Sequence, residues 1–208
     1  MIIHLTDVHR SERILGRLDM LGRGADLIVL SGDVTTSAEQ GFLDRFMSKL
    51  GDLPIPTFIV PGNNEGPELA TKGNVRDIDG KVELFEGLKF GGLGGSPPTP
   101  FNTPNEYTER QMEERLDKLG SVDILVSHSP PYGTSLDTSG YGGHLGSRAV
   151  LHYVETMKPK LLLCGHVHTA KSVEVIGSCT CCNPGSASAG GFAIVKIDGE
   201  VKVELRSL

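Results

Sequence analysis

Short apolar runs alternating with helical patterns constrain this chain more than any other feature. Residues 1–5, 26–30, 57–60, 123–127 and 160–164 are rich in Ile, Leu and Val and short enough to be strands. Between them, 11–21, 38–50, 106–119 and 147–157 place apolar residues at helical spacing, as with Ile14, Leu18 and Leu21, or Phe42, Leu43, Phe46 and Leu50. Strands separated by helices predict parallel crossovers and an α/β fold. A pair of strands at 81–85 and 89–93 turns around Glu86-Gly87. After residue 170 the helical period is lost, and 171–176, 192–197 and 201–205 read as strands, the last two joined by Asp198-Gly199. No repeat or linker divides the chain, which predicts one domain over 1–208.

In open α/β sheets, ligands bind beyond the carboxyl ends of the strands. Five predicted strand ends here carry ligand-type residues: Asp7-Val8-His9, Gly32-Asp33, Gly62-Asn63-Asn64-Glu65, Ser127-His128 and Gly165-His166-Val167-His168. Any one of these alone is more often a turn or a satisfied surface pair. Five in order, all delivered to one edge of one sheet, predict a metal centre. Asp7 and His9, two apart on an extended segment, face the same way and converge on one ion. Asp33 has two carboxylate oxygens and suits a bridging position. Asn63 offers a carbonyl oxygen, and His128, His166 and His168 offer imidazoles. This mixed N and O set without sulfur suits Mn, Fe, Co, Ni or Zn better than Ca or Mg. Paired ions about 3.5 to 4 Å apart clamp an in-line displacement at phosphorus.

Composition removes several alternatives. Twenty Lys and Arg against 26 Asp and Glu leave a formal charge of −6, which argues against a bulk nucleic-acid-binding surface and slightly disfavours a dianionic monoester. The longest apolar stretches, 27–30 and 161–164, are far too short to span a bilayer. Charged residues follow the first strand at once, so no secretion signal builds up and the expected location is cytoplasmic. Four cysteines are too few for a disulfide scaffold. Cys179, Cys181 and Cys182 lack zinc-ribbon spacing and read as structural thiols.

The ordered motifs Asp-x-His, Gly-Asp, Gly-Asn-x-Glu, His and Gly-His-x-His resemble those of the calcineurin-like metallophosphoesterase family, from Asp7 to His168. The resemblance implies a four-layer α-β-β-α sandwich of two mixed sheets with two divalent transition-metal ions, manganese among the candidates, at the sheet edge. It implies Asp7, His9, Asp33 and His168 on one ion, and Asp33, Asn63, His128 and His166 on the other. Asn183-Pro184-Gly185-Ser186 is similar to a stretch that shapes the loop beside the site in compact members. The implied activity is hydrolysis of a small phosphoester by a metal-activated hydroxide, with diesters favoured over monoesters. The alternative is a non-catalytic metal-binding scaffold, as in retromer-subunit-like members. All seven ligand positions hold competent donors, which favours the enzyme.

One position departs from the family pattern. Asn64 stands where the family has a histidine, as in small prokaryotic phosphodiesterases that also lack it. An amide donates a hydrogen bond but no proton near neutral pH, so a general acid must come from elsewhere or be dispensable. His144, in Tyr141-Gly142-Gly143-His144, is either a replacement acid or a surface loop histidine. His4 and His152 read as structural. Arg10, Arg13 and Arg17 form either a phosphate-facing stripe or a solvated helix face. Gly91-Gly92-Leu93-Gly94-Gly95 lacks the ending of a phosphate-binding loop and reads as close-packed strand and turn. The segment 96–105, stiffened by Pro97, Pro98, Pro100 and Pro104, is either a rigid connector or a cover over the metals with Phe101 and Tyr107. Oligomeric state has no sequence signal.

Overall fold

The computed structural model describes residues 1–208 except Ala38 and Tyr141. Two six-stranded mixed sheets face each other. The first contains β1 (Ile2–Leu5), β2 (Leu27–Ser31), β3 (Thr57–Val60), β4 (Val75–Asp77), β11 (Gly191–Asp198) and β12 (Glu200–Ser207), in the order β12-β11-β1-β2-β3-β4. The second contains β5 (Val82–Phe85), β6 (Leu88–Leu93), β7 (Ile124–Ser127), β8 (Leu161–Leu163), β9 (Ser172–Ile176) and β10 (Cys179–Asn183), ordered β5-β6-β7-β8-β10-β9. β1 to β4 pair in parallel, as do β6, β7, β8 and β10. The hairpins and the late strands pair antiparallel.

Three apolar clusters make four layers from these sheets. Ile3, Leu5, Ile28, Leu30 and Ile59 pack against α1 (Glu12–Leu15), α2 (Leu18–Leu21) and α3 (Gln40–Gly51). Leu93, Leu125 and Leu162 pack against α4 (Glu109–Leu119) and α5 (Arg148–Met157). Alternate residues of the same strands, such as Ile2, Leu27, Val29, Val126, Leu161 and Leu163, fill the space between the sheets. Strands buried on both faces read as unbroken apolar runs, which is why they stand out in the sequence. This is the expected α-β-β-α sandwich.

Several elements differ from expectation for identifiable reasons. The helix expected over 11–21 is two short helices, because Gly16 ends the first and Arg17 leaves helical geometry (φ −111°, ψ 1°). Ile14, Leu18 and Leu21 still all reach the core. The helix expected over 38–50 begins at Gln40; Ala38 lies outside the described residues. Helix α4 starts at Glu109 because Thr108 caps it in a capping box with Gln111. β4 and β10 were not expected. In β10 the cysteines act as small apolar residues, Cys179 and Cys181 facing the helices and Cys182 the opposite sheet. All four cysteines are free and buried. The glycine run is close-packed: a Cβ on Gly92 would lie 2.2 Å from the carbonyl oxygen of Ile78.

His4 is fully buried on β1, with Nε2 2.8 Å from Ser31 Oγ and Nδ1 without a partner. Burial pushes its pKa down to about 3. The unfolded chain therefore takes up a proton near pH 6.5 that the folded chain refuses until about pH 3. His4 contributes full stability above pH 6.5, and loses it at roughly 1.4 kcal/mol per pH unit as pH falls through that window. His4→Gln keeps a donor for Ser31 and removes the titration. Denaturant unfolding at several pH values should show a slope below pH 6 shallower by about one proton in the variant.

Candidate metal centre

The ligand-type residues converge, but from both sheets. β1, β2 and β3 of the first sheet deliver Asp7, His9, Asp33 and Asn63; β7 and β8 of the second deliver His128, His166 and His168. The expected single edge of one sheet is thus replaced by adjacent edges of two. The expected geometry of Asp7 and His9 also differs. Neither is extended: Asp7 (φ 53°), His9 (φ 44°), Asp33 (φ 54°) and His166 (φ 68°) all adopt left-handed backbone. Such conformations cost about 1 to 3 kcal/mol each for non-glycine residues and cluster at functional sites. The neighbouring glycines allow the crowding. A Cβ on Gly165 would lie 1.8 Å from Thr6 Oγ1, and one on Gly62 2.0 Å from Asp33 Oδ1.

Two donor sets result, meeting at Asp33. Asp7, His9, Asp33 and His168 each bring one ligand atom to within 4.8 Å of the others. The Nε2 atoms of His9 and His168 are 2.8 Å apart, and lie 3.6 and 3.2 Å from Asp7 Oδ1. In the second set, Asn63 Oδ1 is 2.9 Å from both His128 Nε2 and His166 Nδ1, and His128 Nε2 is 3.6 Å from Asp33 Oδ2.

The surrounding hydrogen bonds aim these atoms inward. His9 Nδ1 donates to the Thr35 carbonyl (3.1 Å) and His128 Nδ1 to the Ser31 carbonyl (2.7 Å), which frees each Nε2 to act as a ligand. Asp7 Oδ2 accepts from Thr6 Oγ1 and the His166 amide, whereas buried Oδ1 makes no aligned hydrogen bond. Asn63 Nδ2 donates to Thr103 Oγ1, whose hydroxyl is held by Glu106, and so Oδ1 faces the imidazoles. An orphaned buried carboxylate oxygen beside converging imidazole nitrogens fits a divalent cation.

Electrostatics agree with this fit. Burial alone would push the Asp7 carboxyl up, but contacts with His168 and His9 and the nearby His128 hold it well below the usual range. Burial opposes charge on His9 as well, yet contact with Asp7 and the charges of Asp7 and Asp33 raise it to about 9. Burial, then proximity to His128, lower His166 to about 4. A cation held by the first set would have to displace the proton that Asp7 and Asp33 favour on His9.

The remaining candidate residues divide clearly. Asn64 is tied to Asp33 by its amide N–H (2.9 Å to Oδ1) and its Nδ2 (2.7 Å to Oδ2). His144 lines the cavity over the centre, about 650 Å³ in volume, with His9, Asn64, His166 and His168. Tyr141 of its motif lies outside the described residues. Phe101 also lines this cavity, with Pro97, Pro98 and Pro100. Tyr107 does not; its ring packs 4.3 Å from the Arg115 guanidinium. Arg10 pairs with Glu39, and Arg13 and Arg17 lie on an exposed face. His152 is exposed on α5, away from the site. Asn183 donates from Nδ2 to the carbonyls of Leu136, Gly165 and Val167, joining the histidine loop to the His144 loop.

Glu65 is a functional residue that the motif contained but the sequence left without a role. Its buried carboxylate accepts from the amides of Gly62, Asp33 and Thr35 and from Thr35 Oγ1. Burial, then the charge of Asp33, push its pKa up.

A sandwich that brings two sets of imidazole, amide and carboxylate donors together around one aspartate forms a candidate metal centre. Comparison with known proteins identifies the family. Residues 37–208 match the family "Metallophosphoesterase, calcineurin superfamily", and the chain belongs to that family. It is 33% identical to the uncharacterized protein MJ1162 of Methanocaldococcus jannaschii, over 90% of this chain and 88% of that one. It is 24% identical to a probable cyclic nucleotide phosphodiesterase of Synechococcus sp., over 77% of this chain and 64% of that protein. A solved structure 20% identical superposes with a TM-score of 0.84, covering 99% and 98% of the two chains. The Thermus thermophilus sulfate thiohydrolase SoxB shares the fold more distantly, with a TM-score of 0.51 at 14% identity over 56% of its length.

Glu65→Gln places an amide NH2 against two of the four donating groups, because only one of the two acceptor oxygens remains. It should weaken metal binding by roughly 10- to 100-fold and lower the Tm. Calorimetric metal titration of folded Glu65→Gln giving the wild-type affinity would remove Glu65 from the support of Asp33.

Proposed function

We propose that residues 1–208 act as one metal-dependent phosphoesterase domain that prefers phosphodiesters. The reading is carried by one observation: two donor sets meet at the single buried carboxylate of Asp33, beneath an open cavity. Asp7, His9, Asp33 and His168 would hold one ion, and Asp33, Asn63, His128 and His166 the second. The nitrogen and oxygen donors suit Mn, Fe, Co, Ni or Zn. When bound, such ions ionise water and neutralise charge on the phosphoryl group. The chain's own residues set where this happens. Glu65 and Asn64 fix Asp33, while Thr35 and Ser31 orient His9 and His128.

The cavity wall supports the diester preference. Its described lining residues include no Lys or Arg, so no cationic clamp meets the extra charge of a monoester dianion. Phe101 and Leu145, 80% and 51% exposed, give it apolar faces for the ester's organic groups. The relative named as a probable cyclic nucleotide phosphodiesterase is in keeping with a diester substrate. Four free, buried cysteines are in keeping with a reducing, cytoplasmic setting.

Asp33→Asn should reduce metal content and abolish most turnover, with elemental analysis after reloading as the check; full occupancy would sink the bridging role. On matched nitrophenyl substrates with Mn²⁺, kcat/KM should be higher for the diester than for the monoester. A monoester preference would contradict the reading of a wall without Lys or Arg. Wild-type protein no faster than Asp33→Asn on either substrate would favour the non-catalytic scaffold. Phe101→Ala should raise KM for aryl diesters several-fold and leave metal content unchanged.

A further inference from the structure

Outside the two donor sets, one acid–base pair borders the same cavity. Asp137 is fully buried. Its carboxylate accepts from the amides of Gly133 (3.1 Å), Thr134 (2.9 Å) and Gly146 (3.0 Å), which closes the loop on itself. The same carboxylate takes His144 Nδ1–H at 2.7 Å. Three of these bonds shape the loop, and the fourth orients a ring. Donation from Nδ1 selects one tautomer, so that Nε2 carries the lone pair when the ring is neutral and the transferable proton when it is charged. Nε2 makes no hydrogen bond among the described residues, and the side chain is 39% exposed on the cavity wall. Tyr132 lies beside the ring (centroids 5.5 Å apart) with Arg148 stacked on it at 3.9 Å. Asn64 is committed to Asp33 through two hydrogen bonds and has no proton to give.

We propose that His144, positioned by Asp137, is the proton donor to the leaving group. The step rests on the phosphoesterase reading above. As the attacking water oxygen bonds to phosphorus, the bond from phosphorus to the ester oxygen breaks. The proton on His144 Nε2 passes to that departing oxygen, leaving a neutral imidazole and an alcohol. The attacking water's proton is lost to solvent, from which His144 is recharged. His144 is the catalytic residue and Asp137 a positioning residue.

The test has a spectroscopic arm and a kinetic arm. In zinc-loaded protein, ¹⁵N NMR should show the Nδ1–H tautomer of His144, and added inorganic phosphate should move its Nε2 signal but not that of His152. Asp137→Asn should mix the tautomers. Across phosphodiesters with leaving groups from nitrophenol to simple alcohols, His144→Ala should lose roughly 100- to 10,000-fold on alkyl esters and only a few-fold on nitrophenyl esters. Free imidazole should restore part of the alkyl rate. Asp137→Asn should shift the same dependence in the same direction, and His144→Ala leaves the three loop-closing bonds of Asp137 in place if that variant folds poorly. Equal losses on aryl and alkyl esters, or an Nε2 signal indifferent to phosphate, would overturn the assignment. So would Asn64→His flattening the leaving-group dependence while His144→Ala leaves it unchanged. Wild-type protein inert on every ester would sink the phosphoesterase reading and this step together, whereas an active wild type with an unaltered slope in His144→Ala overturns this step alone.

Discussion

Three carboxylates, Asp7, Asp33 and Glu65, are buried at one end of the sandwich, and no Lys or Arg among the described residues forms a salt bridge with any of them. An unpaired buried charge costs several kcal/mol. Glu65 is offset by hydrogen bonds from three amides and a hydroxyl, and Asp33 by both donors of Asn64. Asp7 is only half offset: one oxygen is satisfied and the other meets imidazoles alone. The local structure follows from this imbalance. Only left-handed turns at the strand ends bring so many polar atoms to one place, and only glycines at 62 and 165 let the neighbouring loops approach closely enough.

The two sheets have different tasks at that end. The first supplies the carboxylates and Asn63, and the second supplies three of the four imidazoles. Their spacing is set by the apolar layer between them, where Val29, Phe58, Val60, Val126 and Leu163 interdigitate. Close-packed interiors transmit volume changes. The distance between the donor sets is thus a property of the core, and the loops at the site only refine it. Asn63 shows the refinement. Its carbonyl oxygen faces His128 and His166 because its amide is held by Thr103, within a loop whose turn is fixed by Glu106.

Much of this was legible in the sequence because of the α/β pattern. β1, β2, β3, β7 and β8 are buried on both faces, so each reads as an apolar run with its ligand residues directly after it. β4 is three residues long and β10 is built from cysteines, so neither carries the usual strand composition. The break at Gly16 was visible as a residue but not as a boundary, since the apolar spacing runs through it. The division of ligands between two sheets depends on pairings far apart in sequence, such as β1 with β11 and β8 with β10. No local pattern encodes such pairings. Asp137 had no signal at all, because a buried loop aspartate that accepts backbone amides looks like any turn aspartate.

The cavity combines features that local patterns keep separate. The proline-stiffened segment brings Phe101 to it, and the loop closed by Asp137 brings His144 and Leu145. Asn183 ties the Asp137 loop to the His166 and His168 loop through the carbonyls of Leu136, Gly165 and Val167. Removing one side chain would therefore loosen two walls at once, since buried hydrogen-bond networks fail as units. The rim and the floor are joined by polar contacts, the Phe101 segment through Thr103 to Asn63 and the Leu145 loop through Asp137. Phe101 and Leu145 on one side and His9 and His168 on the other thereby border one cavity.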